Sequence, residues 1–118
     1  MGKMSREKGK TGERELSHKL QGLGLGDEIR RGRQYSGLDA PDVVGVKGVH
    51  IECKRTETLR IYDAMQQAID EAKPGETPVV AHRKNGKEWL VIMRLEDWAR
   101  MKKKAYPQPP MSEQRRLL

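Results

Sequence analysis

Apolar positions along the chain fall into short runs of two periods, and these predict the elements. Over residues 11–23, Leu16, Leu20 and Leu23 recur at helical spacing, with Thr11 placed to cap the start of the helix. Gly22, Gly24 and Gly26 end it. Residues 28–34 read as an edge strand whose only aliphatic residue is Ile29. Val43, Val44 and Val46 precede a Lys47-Gly48 turn and Val49, Ile51 and Cys53 follow it, which predicts a hairpin. Ile61, Met65, Ala68, Ile69 and Ala72 predict a second helix over 60–72, broken by Pro74-Gly75. Residues 78–82 read as a buried strand, Asn85-Gly86 as a turn and 89–93 as the partner strand. Leu95, Trp98 and Met101 predict a last amphipathic helix over 95–103. The order α-βββ-α-ββ-α implies an α/β fold with a mixed central β-sheet of about five strands flanked by helices. Phe is absent, so Trp89, Trp98, Leu, Ile, Val and Met are expected to fill the core.

With 118 residues the chain is long enough for one domain, over 11–103. Residues 1–10 carry Lys3, Arg6, Lys8 and Lys10 without apolar rhythm and read as a flexible basic arm. Residues 104–118, with Pro107, Pro109, Pro110, Arg115 and Arg116, read as an extended or disordered tail. Lys and Arg number 24 against 17 Asp and Glu, a formal charge of +7, so the expected partner is a polyanion, with nucleic acid first. No long apolar run or basic amphipathic helix supports a membrane partner. Cys53 is the single cysteine and no signal-peptide pattern opens the chain, which fits a reducing cytoplasm, or the host cytoplasm for a phage-encoded chain. Gly9-Lys10-Thr11 ends like a phosphate-binding loop, but Met4 stands where its first glycine is needed and no strand precedes it.

The candidate chemistry sits on the first hairpin. Strand side chains alternate faces, so His50, Glu52 and Lys54 share one face while Val49, Ile51 and Cys53 share the other. Asp42, Glu52 and Lys54 then gather at one place. Two carboxylates suit a hard divalent cation, and an ammonium beside them can face a phosphate. The plainer alternative is a turn aspartate and a solvated Glu-x-Lys pair on the wet face of a strand. Glu13 lies near the buried face of the first helix; it is either a partner of this cluster or a first-turn glutamate favoured by the helix dipole. Arg30, Arg31 and Arg33 either contact phosphates or keep an edge strand solvated. His18, His50 and His82 lack metal-ligand spacing; His50 shares the Glu52 face and can approach the site, but a solvent-facing or hydrogen-bonded histidine is the expectation. Gln66 and Gln67 read as surface residues, though either can reach the site from its helix.

Gly12-Glu13-Arg14-Glu15, Pro41-Asp42-Val43 and Glu52-Cys53-Lys54 together resemble the motifs of the PD-(D/E)xK nucleases. The first-helix pattern resembles, more narrowly, archaeal-type Holliday junction resolvases and their bacteriophage relatives, and the likeness spans residues 5–100. It implies a restriction-endonuclease-like fold and a metal-dependent, structure-selective endodeoxyribonuclease that cuts four-way DNA junctions. Asp42, Glu52 and the Cys53 backbone carbonyl would ligate Mg²⁺ or Mn²⁺, with Glu13 joining directly or through water. Lys54 would orient or activate the attacking water. Ser36 resembles a serine near the scissile strand, and Arg14 and Arg30, with Lys10, Arg31 and Arg33, would bind the DNA backbone. The resemblance also implies a homodimer acting on branched double-stranded DNA, and the last strand or last helix, with an exposed Trp89 or Trp98, is the candidate surface between copies. Two other readings stay open: a less selective nuclease of repair, replication or restriction type, and a non-catalytic basic module. Binding alone needs no buried carboxylates, which repel phosphate, so the four residues Glu13, Asp42, Glu52 and Lys54 weigh against the module.

Overall fold

A computed structural model describes residues 3–32 and 42–110. In chain order the elements are α1 (Lys3–Gly22), β1 (Arg30–Arg31), β2 (Val43–Val44), β3 (Val49–Arg55), α2 (Ile61–Glu71), β4 (Thr77–Arg83), β5 (Leu90–Ile92) and α3 (Leu95–Ala105). The five strands lie in one sheet in sequence order. All neighbours are antiparallel except β3 and β4, whose residues pair in parallel from Val49 with Thr77 to Arg55 with Arg83. A parallel pair needs a long crossover, and α2 supplies it. The α/β class, the mixed sheet and the element order are therefore those that the apolar pattern predicts.

Alternation along β3 and β4 sorts the core into two layers. Ile51, Val79 and Ala81 face α1 and pack with Leu16, Ile29 and Val43, while Val80 faces α2 and packs with Ala64, Met65 and Ala68. On β3 the α2 side carries His50 and Glu52, both 1 % exposed. One strand thus offers an apolar face to α1 and a polar, buried face to α2.

Several local expectations change. α1 begins at Lys3, so residues 3–10, expected as a flexible arm, are helical, and Thr11 lies inside the helix instead of capping it. Leu23 falls beyond the last helical turn and is largely exposed, because the helix stops at Gly22 before that position of the stripe can turn inward. The edge strand contracts to Arg30–Arg31. Trp89 packs against the α1-side core, but Trp98, expected in the core, is 53 % exposed and Leu95 is 75 % exposed. The one buried residue of α3 is Asp97, bracketed at 2.9 Å by Arg94, which precedes the helix, and by Arg100 within it. α3 has no sheet to lie on, so its apolar stripe stays in the open. The end of the chain past residue 110 lies outside the described residues.

The hairpin turn depends on Gly45, which has φ +99° and lies against the backbone of Glu28 and Ile29. A methyl group there would collide with the Glu28 carbonyl. Gly75 also has positive φ, but open space surrounds it. Gly45→Ala is expected to cost more than about 2 kcal/mol, through backbone strain plus collision, whereas Gly75→Ala meets strain alone at about 1 kcal/mol. Chemical denaturation of both variants checks the order; equal losses would remove the special role of the Gly45 contact.

Candidate active site

The candidate site forms at the Asp42 end of the described β2–β3 ladder. Their ladder runs from Val43 opposite Ile51 to a hydrogen bond from the Asp42 N–H to the Ile51 carbonyl (3.0 Å). The next outward-facing amide on β3, Cys53 N–H, donates instead to Asp42 Oδ2 at 2.7 Å. On its other side the Asp42 carbonyl accepts from Gly32 N–H at 2.8 Å. Asp42 is thus held from both sides, through its carboxylate by β3 and through its carbonyl by the residue after β1. A residue's N–H and C=O point the same way in an extended strand. The Cys53 carbonyl is therefore aimed to the same side of β3 as the Asp42 carboxylate.

Carboxylates converge here from both layers. Glu52, from the α2 face of β3, lies within hydrogen-bonding reach of Asp42 and of Glu71 at the end of α2. Glu13 approaches from α1, near enough to feel the Asp42 charge, and holds Arg31 Nε at 2.7 Å. Gly12, the residue before it, is buried where a side chain would strike Arg55, so its lack of a Cβ lets α1 lie close on β3. Lys54 donates to Gln67 Oε1 at 2.8 Å, and Gln67 Nε2 donates to Glu71 Oε1 at 3.5 Å. His50 Nε2 lies 2.8 Å from Glu52 Oε1 and 3.7 Å from Glu71 Oε2.

The electrostatics follow from this crowding. Burial pushes Glu52 up to about 10, and Glu71 and Asp42 add to the rise. Burial likewise raises Asp42 and Glu13, against the hydrogen bonds from Cys53 and Arg31 respectively. Glu71, hydrogen-bonded to Glu52, is held below the usual range. Burial also drives the Cys53 thiol up to about 12, so it is neutral and a poor nucleophile. Carboxylates packed this closely need a shared proton or a cation between them. The donor set fits a hard divalent cation: all oxygens around Asp42, with no thiolate.

Glu13, Asp42, Glu52 and Lys54, which the sequence singles out, are thus brought together. Lys10, Arg14 and Arg30 are exposed on α1 and β1. Arg31, expected to face DNA, has its Nε committed to Glu13. Arg33 and Ser36 lie outside the described residues. Sequence reasoning missed one member, Glu71, and rated a second, His50, below its place here. Glu71 carries no motif, and its only signal is its place at the end of a helix crossing the strand face that bears Glu52. His50, expected to be solvent-facing or hydrogen-bonded, is hydrogen-bonded and deeply buried. Of the two glutamines Gln67 reaches the site, whereas Gln66 bonds Asp70 away from it.

A family model described as archaeal Holliday junction resolvase (Hjc) matches residues 4–107. The chain belongs to that family. No curated protein and no solved structure matches it significantly. Membership makes it a nuclease of the resolvase type, consistent with the resemblance carried by its motifs. No helix among the described residues is long and apolar enough to cross a membrane.

Glu52 binds its proton far more tightly folded than unfolded, with a pKa raised from 4.5 to about 10. Between those values the folded state holds the extra proton, so stability falls as pH rises. In EDTA the thermal midpoint is expected to be lower at pH 9 than at pH 6, and saturating Mn²⁺ is expected to narrow the difference. Equal midpoints at the two pH values in EDTA would show that these carboxylates are not crowded.

Proposed function

We propose that this chain is a divalent-cation-dependent endonuclease that nicks four-way and related branched DNA as a homodimer. The observation that carries the reading is the meeting of Asp42, Glu52 and Lys54 at the Asp42 end of the β2–β3 ladder, with Asp42 fixed by the Cys53 N–H. Phosphodiester anions repel hydroxide, so the chemistry needs positive charge at the scissile group. A bound Mg²⁺ or Mn²⁺ would supply a Lewis acid and an activated water.

Asp42, Glu52 and the Cys53 carbonyl are the residues to hold that cation, with Glu13 completing the set directly or through water. Arg31 keeps the Glu13 carboxylate turned to the cluster. Lys54, steadied by Gln67, would orient the attacking water and offset charge on the phosphate in the transition state. Lys10, Arg14 and Arg30 present exposed cations for backbone phosphates, and Arg33 and Ser36 are proposed to act from the neighbouring segment. The free Cys53 and the family's recombination chemistry fit work in a reducing cytoplasm.

A four-way junction has paired strands to cut, so one chain with one site needs a partner. Val91, Leu95, Trp98 and Met101 expose a run of apolar surface along edge strand β5 and α3. Isolated, such a surface is costly; a second copy would cover it. Sedimentation at micromolar concentration is expected to show a dimer and Trp98→Glu a monomer with unchanged secondary structure. A wild-type monomer would remove the paired-cut reading.

Cleavage of a synthetic junction, compared with linear duplex, flap and single-stranded DNA of the same sequence, tests the activity. Paired nicks in the junction, dependent on Mg²⁺ or Mn²⁺ and abolished by EDTA, are expected. Asp42→Ala should lower the rate at least about 10³-fold while keeping or tightening DNA binding, since a phosphate-repelling carboxylate is gone. Equal cutting of every substrate would leave a general nuclease, and undiminished cutting by Asp42→Ala would overturn the site.

A further inference from the structure

The nuclease motifs make no use of two side chains packed into the same cluster, His50 and Glu71. We propose that His50, Glu52 and Glu71 form a second divalent-cation site, beside the Asp42–Glu52 pair, that takes a first-row transition-metal ion through one imidazole nitrogen and two carboxylate oxygens. The inference rests on the nuclease reading only in that Glu52 would serve both sites.

Geometry comes first. One ligand atom from each of the three residues lies within 4.8 Å of the others, and His50 Nε2 stands 2.8 Å from Glu52 and 3.7 Å from Glu71. Nitrogen and oxygen ligands about 2.1 Å from an ion sit roughly 3.0 to 3.4 Å apart around an octahedron or tetrahedron. The observed spacings straddle that range. Glu71 has to close in while His50 and Glu52 part slightly, and Glu71 has the room to move: its side chain is 25 % exposed, whereas His50 is 1 % exposed.

Charge points the same way. Glu71 closes α2, whose last turn contains no basic residue, so its carboxylate sits at the negative end of the helix dipole. There it also meets the Glu52 carboxyl, and burial leaves little water to separate them. Lys54 is drawn to Gln67 and does not pair with either carboxylate at close range. A divalent ion would answer the helix end, the carboxylate pair and the buried imidazole at once. Mixed imidazole and carboxylate ligands favour Mn²⁺, Fe²⁺, Co²⁺ or Zn²⁺ over Mg²⁺, which prefers oxygen alone. Asp42, Glu52 and Glu71 would then hold two ions in a row, the arrangement of two-metal phosphodiesterases.

Mn²⁺ titration of the full chain without DNA, read by electron paramagnetic resonance, tests this. Wild type is expected to bind two Mn²⁺ per chain, Glu71→Gln one, Asp42→Asn one, and the double variant none. Nitrogen hyperfine coupling to Mn²⁺ should be present in wild type and Asp42→Asn and absent in Glu71→Gln. Circular dichroism controls for folding, and Glu71 is the chosen site because it is partly exposed. A single Mn²⁺ that Asp42→Asn removes and Glu71→Gln retains would overturn the second site while the nuclease reading stands. Loss of one Mn²⁺ in Glu71→Gln, alongside undiminished junction cutting by Asp42→Asn, would support the second site and sink the Asp42 assignment instead.

Discussion

The hydrogen bond from the Cys53 amide to the Asp42 carboxylate is the contact around which the site is arranged. Two strands that stay paired leave no cavity, and two that part freely leave unsatisfied amides. Here the Asp42 side chain satisfies the Cys53 amide at the end of the described ladder, so that donor is not orphaned. The same bond orients a carboxylate whose burial would otherwise be costly. Polar satisfaction and the placement of the Asp42 carboxylate come from one interaction, and Gly45 and Gly32 hold the backbone on either side of it.

Strand alternation then decides what the site contains. β3 is buried on both faces, yet only its α1 face is apolar. Its other face carries His50 and Glu52 beneath α2, and such a layer persists only if its polar groups find partners. They do so among themselves, through His50, Glu52, Glu71, Gln67 and Lys54. Protons bridge this cluster in the absence of metal, which is the physical meaning of the raised Glu52. The stability given up to crowd these groups is the kind commonly found where a structure serves chemistry.

Away from the site, the molecule leaves its last strand and last helix with apolar side chains in solvent, while Asp97 is enclosed by Arg94 and Arg100. That exposed surface lies along β5, at the opposite edge of the sheet from β1.

Much of this was legible in the residues. Periodicities of two and 3.6 located the strands and helices, because they reflect which side of each element is buried. Asp42, Glu52 and Lys54 could be placed together because a hairpin links them over a short stretch of chain, and Glu13 followed from its helix face. Local pattern could not show that α1 starts at Lys3, since polar and glycine residues carry no apolar rhythm there. Nor could it show that α3 packs on nothing, since an apolar stripe looks the same whether it is covered within the chain or by another molecule. His50 and Glu71 became neighbours only through the crossover of α2 over β3, a contact between segments that no spacing rule connects. Tertiary structure decided which of the polar residues were buried together, and burial is what turns ordinary histidine and glutamate side chains into candidate ligands.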